Sequence, residues 1–181
     1  MLIEPTSLAE VFVLTPRVHR DDRGFFAESY NKRAFAKAVG SDVEFVQDNH
    51  SRSSRGVLRG LHYQLPPRAQ GKLVRVAAGE IFDVAVDMRR ASATFGRWTG
   101  VVLSADKGNQ LWIPPGFAHG FLTLSESADV LYKASDYYDP GCERSVIWND
   151  PDIGIAWNLD GQPILSGKDA AAPPAAAAEA F

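Results

Sequence analysis

Two of the four histidines, His62 and His119, stand in short segments rich in glycine and proline, RGLHYQLPP and IPPGFAHGF. Histidine is the side chain whose ordinary pKa lies closest to neutral pH, so it can accept or donate a proton. Its neutral ring can also bind a metal ion. The sequence therefore indicates two chemistries for the same residues, proton transfer and metal binding.

The spacing around the second histidine is that of the second cupin motif. Gly108, Pro114, Gly116 and His119 reproduce the pattern G-x5-P-x-G-x2-H, and Thr123 stands where this motif often has asparagine. This part of the chain therefore resembles a cupin jelly roll, a double-stranded β-helix barrel.

The first cupin motif, G-x5-H-x-H followed by a glutamate, is incomplete in this chain. It begins at Gly56 and reaches His62, but Gln64 replaces its second histidine, and Arg68 and Ala69 stand where the glutamate would fall. A cupin metal site normally combines three histidines and one glutamate, and two neutral ligands hold a divalent ion weakly. The sequence predicts a barrel without a bound metal or other cofactor, in which His62 is free for proton transfer.

Several further segments resemble the dTDP-4-dehydrorhamnose 3,5-epimerase family, and together they span nearly the whole chain before residue 170. These segments are Arg23–Tyr30, Gln47–Gln64 with Lys72, Ile113–Phe121, Tyr132, Glu143 within GCERS, and Leu165–Asp169. The resemblance implies a homodimeric cupin that acts, without a cofactor, on dTDP-4-dehydro-6-deoxy-D-glucose.

The chemistry of a 4-keto sugar explains why such residues occur together. The C3 and C5 protons are both α to the carbonyl, so inversion needs a base on one face, an acid on the other, and a cation near O4. By the resemblance, His62 is the proton acceptor, Tyr132 the proton donor and Lys72 the group that stabilises the enolate. Asp169 is expected to orient His62 and fix its tautomer. Asp83 is a second candidate for that task.

Substrate binding requires basic groups for the diphosphate and a shaped polar pocket for the base. Arg59 and His119 suit the phosphates or the edge of the sugar, since arginine can bind phosphate through two parallel hydrogen bonds. The resemblance adds further contacts to the nucleotide sugar from Arg23, Glu28, Gln47, Asn49, Lys72, Glu143 and Lys168. We expect Arg23 and Glu28 to come from the partner subunit.

Three alternative functions remain open at this point. A relative that inverts only C3 or only C5 would keep the same base and enolate site. A metal-dependent cupin oxygenase is opposed by the incomplete first motif. A protein that binds a nucleotide sugar without catalysis is opposed by the presence of His62, Tyr132 and Lys72.

Composition limits the partners and the compartment. The net charge of −3 over 181 residues argues against a nucleic-acid or anionic-membrane surface, which would need a broad positive field. Cys142 is the only cysteine, which excludes an internal disulfide. No basic leader or long apolar stretch occurs, so the sequence predicts a soluble cytoplasmic protein.

The elements that must position these residues are mostly strands. Short β-branched and aromatic runs separated by Gly, Pro and Asp turns predict one all-β domain over 1–169, with one or two short helices. The predicted strands are 11–14, 25–29, 43–47, 57–64, 72–77, 81–87, 98–103, 110–113, 120–124 and 130–135. One helix is predicted over Lys32–Val39, with Asn31 as N-cap and Gly40 as stop. The Ala/Pro-rich stretch 170–181 is predicted to be a flexible tail.

Overall fold

The structure, a computed structural model, describes residues 1–159 and 161–181 of the chain. The elements in chain order are β1 Leu2–Pro5, β2 Phe12–Thr15, β3 Val18–Asp21, β4 Gly24–Ala27, α1 Lys32–Val39, β5 Gln47–Ser54, β6 Leu58–Gln64, β7 Lys72–Ala78, β8 Glu80–Asp87, β9 Trp98–Ser104, β10 Gln110–Ile113, β11 Phe117–Thr123, β12 Ser127–Ala134, β13 Glu143–Ser145 and α2 Gly167–Ala170, followed by a 3₁₀ turn at Ala175–Ala177.

Two antiparallel sheets form a jelly-roll barrel. The larger sheet has the order β1-β2-β10-β7-β12-β5 and the smaller one β13-β6-β11-β8-β9, while β3 and β4 form a separate hairpin. The main apolar cluster takes buried residues from both sheets, among them Val74 of β7, Ala85 of β8 and Phe121 of β11. This packing of one sheet on the other confirms the cupin-type all-β fold predicted from the sequence.

Helix α1 begins and ends where the sequence predicted, with Asn31 as its N-cap and Gly40 after its last residue. Oδ1 of the N-cap Asn31 accepts a hydrogen bond from the Ala34 backbone N–H at 3.1 Å, and Gly40 ends the helix with a φ of 70°. The fully buried Phe35 packs edge-on against Trp112, with 5.2 Å between the ring centroids. Across residues 1–159 and 161–181, no helix has the length and apolar character needed to cross a membrane.

Strand β5 corrects the sequence prediction. A strand was expected over 43–47, where the residues are more apolar, but the strand runs over the polar segment Gln47–Ser54. Its charged residues, such as Asp48 and Arg52, are exposed, and its inner residues, such as Asn49 and Ser51, line a polar cavity. Because its inward side chains face this cavity rather than an apolar core, the strand lacks the hydrophobic alternation by which strands are recognised.

The C-terminal stretch differs from the predicted flexible tail because it packs along the barrel. Ala172 and Ala178 are buried, and the Tyr63 hydroxyl donates a hydrogen bond to the backbone oxygen of Glu179. Arg144 forms an ion pair with the Glu179 carboxylate at 2.8 Å. Small alanine side chains allow this close approach, while the barrel contributes the larger apolar groups.

Candidate active site

A cavity of about 460 Å³ opens between the two sheets, within the size range of small-molecule sites. Strands of both sheets and the segment around α2 contribute to its wall. Among the residues that line it are Asn49, Ser51, Arg59, His62, Lys72, His119, Phe121, Tyr132, Ser166, Lys168 and Asp169. The structure thus brings together eight of the residues selected from the sequence: His62, Tyr132, Lys72, Asp169, Arg59, His119, Asn49 and Lys168.

His62 on β6 is paired with Asp169 of α2. The Nε2 atom of His62 lies 2.6 Å from Oδ1 of Asp169, and Ser166 caps the helix by accepting a hydrogen bond from the Asp169 backbone N–H at 3.1 Å. Burial raises the pKa of Asp169, but hydrogen bonds, chiefly the one from His62, outweigh burial and hold that pKa below its ordinary value. An ionised Asp169 accepts a hydrogen bond from the Nε2–H group, so a neutral His62 carries its free lone pair on Nδ1.

The second histidine forms a similar pair with the other candidate orienter. Nε2 of His119 lies 2.6 Å from Oδ1 of Asp83, which is fully buried on β8. His119 stands directly opposite His62 in the pairing of β11 with β6. The two histidines are therefore neighbours, each with its own carboxylate, and Asp169 rather than Asp83 contacts His62.

Two glycines next to these histidines, Gly60 and Gly120, allow β6 and β11 to approach closely. Gly60 has a φ of 127°, and a Cβ atom there would lie 2.5 Å from the Cα of Gly120. The β6–β11 register shifts at the same place, between His119 and Phe121. Glycine is required at position 60 because its positive φ and the short backbone separation both exclude a side chain.

Lys72 and Tyr132 reach the cavity from the opposite sheet, on β7 and β12. The Lys72 ammonium donates to the backbone oxygen of His62 at 3.3 Å and lies 6.0 Å from the centre of the Tyr132 ring. Burial lowers the pKa of Lys72 to about 8, although the negative charges of Asp83 and Glu143 act to raise it. Burial raises the pKa of Tyr132, so its phenol stays protonated near neutral pH.

A polar network forms near the cavity from residues that the sequence associates with substrate binding. Lys168 forms a 2.6 Å ion pair with Glu143, and the side-chain amide of Gln47 donates to Oδ1 of Asn49 at 3.0 Å. Tyr138 joins both pairs: its hydroxyl donates to Glu143 at 2.8 Å and its backbone N–H donates to Gln47 at 2.9 Å. Burial raises the pKa of Glu143, but hydrogen bonds from Lys168 and Tyr138 bring it below its ordinary value.

Sequence reasoning missed Tyr138, whose side chain is 54 % exposed beside this network. The only local signal is a pair of tyrosines in the polar run SDYYD, which resembles many surface loops. Its contacts with Glu143 and Gln47 distinguish Tyr138 from other exposed tyrosines, and these contacts exist only in the folded structure.

Arg59 lines the cavity beside this network. Its Nε donates to the hydroxyl of Ser53 at 3.0 Å, which leaves part of the guanidinium available. The neighbouring Leu58 is bonded through its N–H to the backbone oxygen of Ile164 at 3.0 Å, and this contact joins β6 to the segment before α2.

Arg23 and Glu28 do not reach the cavity within one chain. The Arg23 side chain is 90 % exposed and pairs with Asp21 of the same hairpin. Phe25 and Phe26 of β4 are also exposed, at 67 % and 71 %. The hairpin therefore presents two exposed aromatic side chains and several charged ones, Arg23 among them, to a neighbouring molecule.

Gln64, which stands where the first cupin motif has its second histidine, forms hydrogen bonds to loop backbone atoms. Its Nε2 donates to the backbone oxygen of Arg68 at 2.6 Å, and its Oε1 accepts from the N–H of Asp139 at 2.9 Å. Within the part of the chain that the structure describes, no group of three or more His, Cys, Asp or Glu side chains is arranged to hold a metal ion.

Comparison with known proteins agrees with this geometry. A family model described as dTDP-4-dehydrorhamnose 3,5-epimerase matches residues 5–177. The Salmonella typhimurium protein of that name is 58 % identical over 173 residues, which cover 96 % of this chain and 94 % of the relative.

Two solved structures are similar over most of their length. The crystal structure of dTDP-6-deoxy-D-glucose-3,5-epimerase from Legionella pneumophila, in complex with dTDP-4-keto-L-rhamnose, has a TM-score of 0.94 and 50 % identity, covering 97 % of this chain and 93 % of that one. ChmJ, a 3'-monoepimerase from Streptomyces bikiniensis in complex with dTDP-quinovose, has a TM-score of 0.89 and 39 % identity, covering 95 % and 87 %. A family match over nearly the whole chain, a relative 58 % identical over 96 % of the chain, and the cupin barrel place this chain in the dTDP-4-dehydrorhamnose 3,5-epimerase family of isomerases.

Proposed function

We propose that this chain inverts C3 and C5 of dTDP-4-dehydro-6-deoxy-D-glucose and so forms dTDP-4-dehydro-L-rhamnose for dTDP-L-rhamnose biosynthesis. The observation that carries the proposal is the meeting of three groups in one cavity: a carboxylate-paired histidine, a partly buried protonated tyrosine and a buried lysine. His62 comes from one sheet, and Tyr132 and Lys72 come from the other. This arrangement suits a reaction that removes a proton from one face of a sugar and returns one to the opposite face.

The first step is proton removal. Nδ1 of His62 takes the proton from C3 or C5, the C–H electron pair forms a C=C bond, and the carbonyl electron pair moves to O4. His62 becomes an imidazolium, which the negative charge of Asp169 stabilises through the Nε2 hydrogen bond. The Lys72 ammonium stabilises the charge on O4, and its burial strengthens that interaction because the local dielectric constant is low.

The second step is proton return from the other face. The Tyr132 phenol donates its proton to the same carbon as the C=C bond reverts to a ketone, which leaves a phenolate. Solvent then reprotonates the phenolate and takes the proton from His62, so the enzyme returns to its starting state with no net consumption of protons. The same residues perform both inversions, since C3 and C5 are both adjacent to C4.

The nucleotide binds near the mouth of the cavity. Arg59 supplies hydrogen-bond donors for the diphosphate, and Lys168 adds positive charge. The amides of Gln47 and Asn49 offer donors and acceptors to the pyrimidine, and the exposed ring of Tyr138 offers it a flat apolar face. His119, also in the wall, contacts the sugar.

The functional protein is a cytoplasmic homodimer in which the β3–β4 hairpin of one subunit completes the site of the other. Arg23 and Glu28 then act on the partner's substrate, and the exposed Phe25 and Phe26 are covered. This proposal accounts for a hairpin that carries two exposed aromatic residues next to two selected binding residues.

The test is an NMR analysis of products formed from dTDP-4-keto-6-deoxyglucose in deuterated water. The wild-type enzyme should give the L-rhamno product with deuterium at C3 and C5. Tyr132→Phe should still exchange protons through His62, because His62 can return a proton to the face from which it came, while inversion falls. Absence of any deuterium incorporation by the wild-type enzyme would contradict the proposal, and inversion by Tyr132→Phe at the wild-type rate would exclude Tyr132 as the acid.

Inversion at a single carbon is the second candidate function, favoured by the similarity to a 3'-monoepimerase. The same proton acceptor and enolate-stabilising lysine serve either outcome, because each requires an enolate next to C4. Deuterium and inversion confined to C3 would support this second candidate, whereas inversion at both carbons would reject it.

A further inference from the structure

Asp83 is the most deeply buried acidic group near the cavity, and the mechanism above gives it no role. It lies on β8 between Val101 of β9 and Phe121 of β11 and is 0 % exposed. Oδ1 accepts the hydrogen bond from His119, while Oδ2 is buried and has no hydrogen-bond partner within residues 1–159 and 161–181. Burying a carboxylate oxygen without a hydrogen-bond partner costs free energy, so we ask what Asp83 contributes to the site.

Asp83 is linked to Lys72 by a short series of contacts: its partner His119 stands opposite His62, and the backbone oxygen of His62 accepts a hydrogen bond from the Lys72 ammonium at 3.3 Å. Lys72 is buried, which lowers its pKa to about 8, and the nearby negative charges of Asp83 and Glu143 act in the opposite direction. The oxygens of Glu143 are engaged by Lys168 and Tyr138. Of the two carboxylates, Asp83 has the larger effect on the pKa of Lys72.

We propose that Asp83 is a positioning residue with two tasks: it fixes His119 with a proton on Nε2, and it keeps Lys72 charged inside the barrel. The first task leaves Nδ1 of His119 as the ring atom that can accept a hydrogen bond from a sugar hydroxyl. The second keeps the enolate-stabilising cation present at neutral pH. This inference rests on the proposed epimerase function, and its test includes a measurement that needs no activity.

Other charged and titratable groups around Lys72 come from several elements. They are His62 and Arg59 on β6, His119 on β11, Tyr132 on β12, Glu143 on β13, and Lys168 and Asp169 of α2. Glu143 is paired with the ammonium of Lys168, whereas Asp169 and Asp83 are each bonded to a histidine. Of these acidic groups, Asp83 and Glu143 act to raise the pKa of Lys72, and Asp83 has the larger effect.

Asp83→Asn tests the proposal because it keeps the shape of the side chain and removes its charge. Without the carboxylate, the influence that raises the pKa of Lys72 is lost, so that pKa falls below about 8 and the ammonium is lost at lower pH. A fall of one unit would lower the protonated fraction about tenfold at pH 9 and by less than about twofold at pH 6.5. In a profile of kcat/KM against pH, the alkaline limb should therefore move to lower pH. An alkaline limb that stays in place would overturn the second task.

Asp87→Asn is the matched control, since Asp87 lies on the same strand and is equally buried. Its carboxylate accepts hydrogen bonds from Arg89, Ser92 and Thr94, which belong to a loop beyond the strand. This variant should lose stability in urea denaturation and keep the wild-type alkaline limb. An equal shift of the limb in both variants would mean that general loosening, rather than the charge of Asp83, causes the effect.

NMR of the wild-type protein labelled with ¹⁵N at histidine and lysine side chains judges the proposal even if Asp83→Asn fails to fold. The His119 signals should show Nε2 protonated and Nδ1 unprotonated, and the Lys72 signal should titrate near pH 8, well below the exposed lysines. A proton on Nδ1 of His119 would refute the first task. If the wild-type protein showed no epimerisation but the His119 signals were as expected, the proposed function would fail while the first task of Asp83 stood.

Discussion

The Nε2 atom of His62 lies 2.6 Å from Oδ1 of Asp169, although 107 residues separate the two in the chain. The contact joins a strand of the smaller sheet to a four-residue helix near the C-terminus. It leaves Nδ1 as the atom through which His62 can act as a base. The role of His62 therefore depends on a residue that no local pattern connects to it.

Asp169→Asn should lower kcat by up to about 10⁴-fold with little change in nucleotide binding. The amide can turn its NH₂ toward Nε2 and so favour the tautomer that has its proton on Nδ1, where the lone pair is needed. Steady-state kinetics together with calorimetric titration of dTDP would measure both effects. Asp150→Asn is the control, because Asp150 is equally buried but serves loop N–H groups, and its kcat should stay within a few-fold of wild type. Equal losses in the two variants would argue against a special role for Asp169.

Lys72→Ala should lower deuterium exchange and inversion together, by about 10²–10³-fold. The reason is that the enolate itself is destabilised, by about 3–4 kcal/mol if Lys72 acts like a lost oxyanion-hole donor. This result would differ from Tyr132→Phe, in which exchange survives. Lys37→Ala, on the exposed face of α1, should match the wild-type enzyme in both measurements. Normal exchange in Lys72→Ala would show that another group holds the charge on O4.

Gly60→Ala should destabilise the fold by about 2–6 kcal/mol for two reasons. Alanine is strained at the positive φ of this position, and its methyl group would overlap the backbone of Gly120. Gly40 offers a matched control, since it also has a positive φ but would place its Cβ in open space. Gly40→Ala should cost only about 1 kcal/mol. Urea denaturation followed by tryptophan fluorescence would compare them, and similar losses would show that the approach of β6 to β11 is not tight.

Mixed dimers test whether the hairpin serves the partner's site. Arg23→Ala and His62→Asn should each be nearly inactive as pure dimers. After the two variants are unfolded and refolded together, about half of the dimers are mixed, and each mixed dimer has one site with both residues intact. Activity should then return to about a quarter of the wild-type value. No recovery would mean that Arg23 acts on the site of its own chain, or that the protein does not dimerise.

Much of the fold and chemistry could be predicted from the sequence because those features are local. The residues around His119 define a turn and strand by their glycine and proline spacing, and Asn31 and Gly40 specify the ends of α1. The resemblance of several segments to the epimerase family indicated His62, Lys72 and Tyr132, and the folded chain brings them into one cavity. In these places the side chain and its nearest neighbours along the chain carry the information.

The cavity-lining strand β5 was predicted in the wrong place because its burial pattern depends on its surroundings. Asn49 and Ser51 face inward toward a polar cavity, so the alternation of apolar and polar residues that predicts a strand does not occur. Tyr138 was missed for a related reason. Its closeness to Gln47 and Glu143 arises only when separate segments meet.

By itself, then, the sequence determined the cupin-type barrel, the family, and the residue types available for proton transfer. The tertiary structure alone decided which carboxylate serves which histidine, since Asp169 was the expected partner of His62 but Asp83 stayed a second candidate until β8 and α2 were placed around His119 and His62. It also decided the electrostatic state of the site, because burial sets the pKa values of Lys72 and Tyr132. The physical reason is that desolvation and hydrogen bonding depend on atoms close in space, and most of those atoms are distant along the chain.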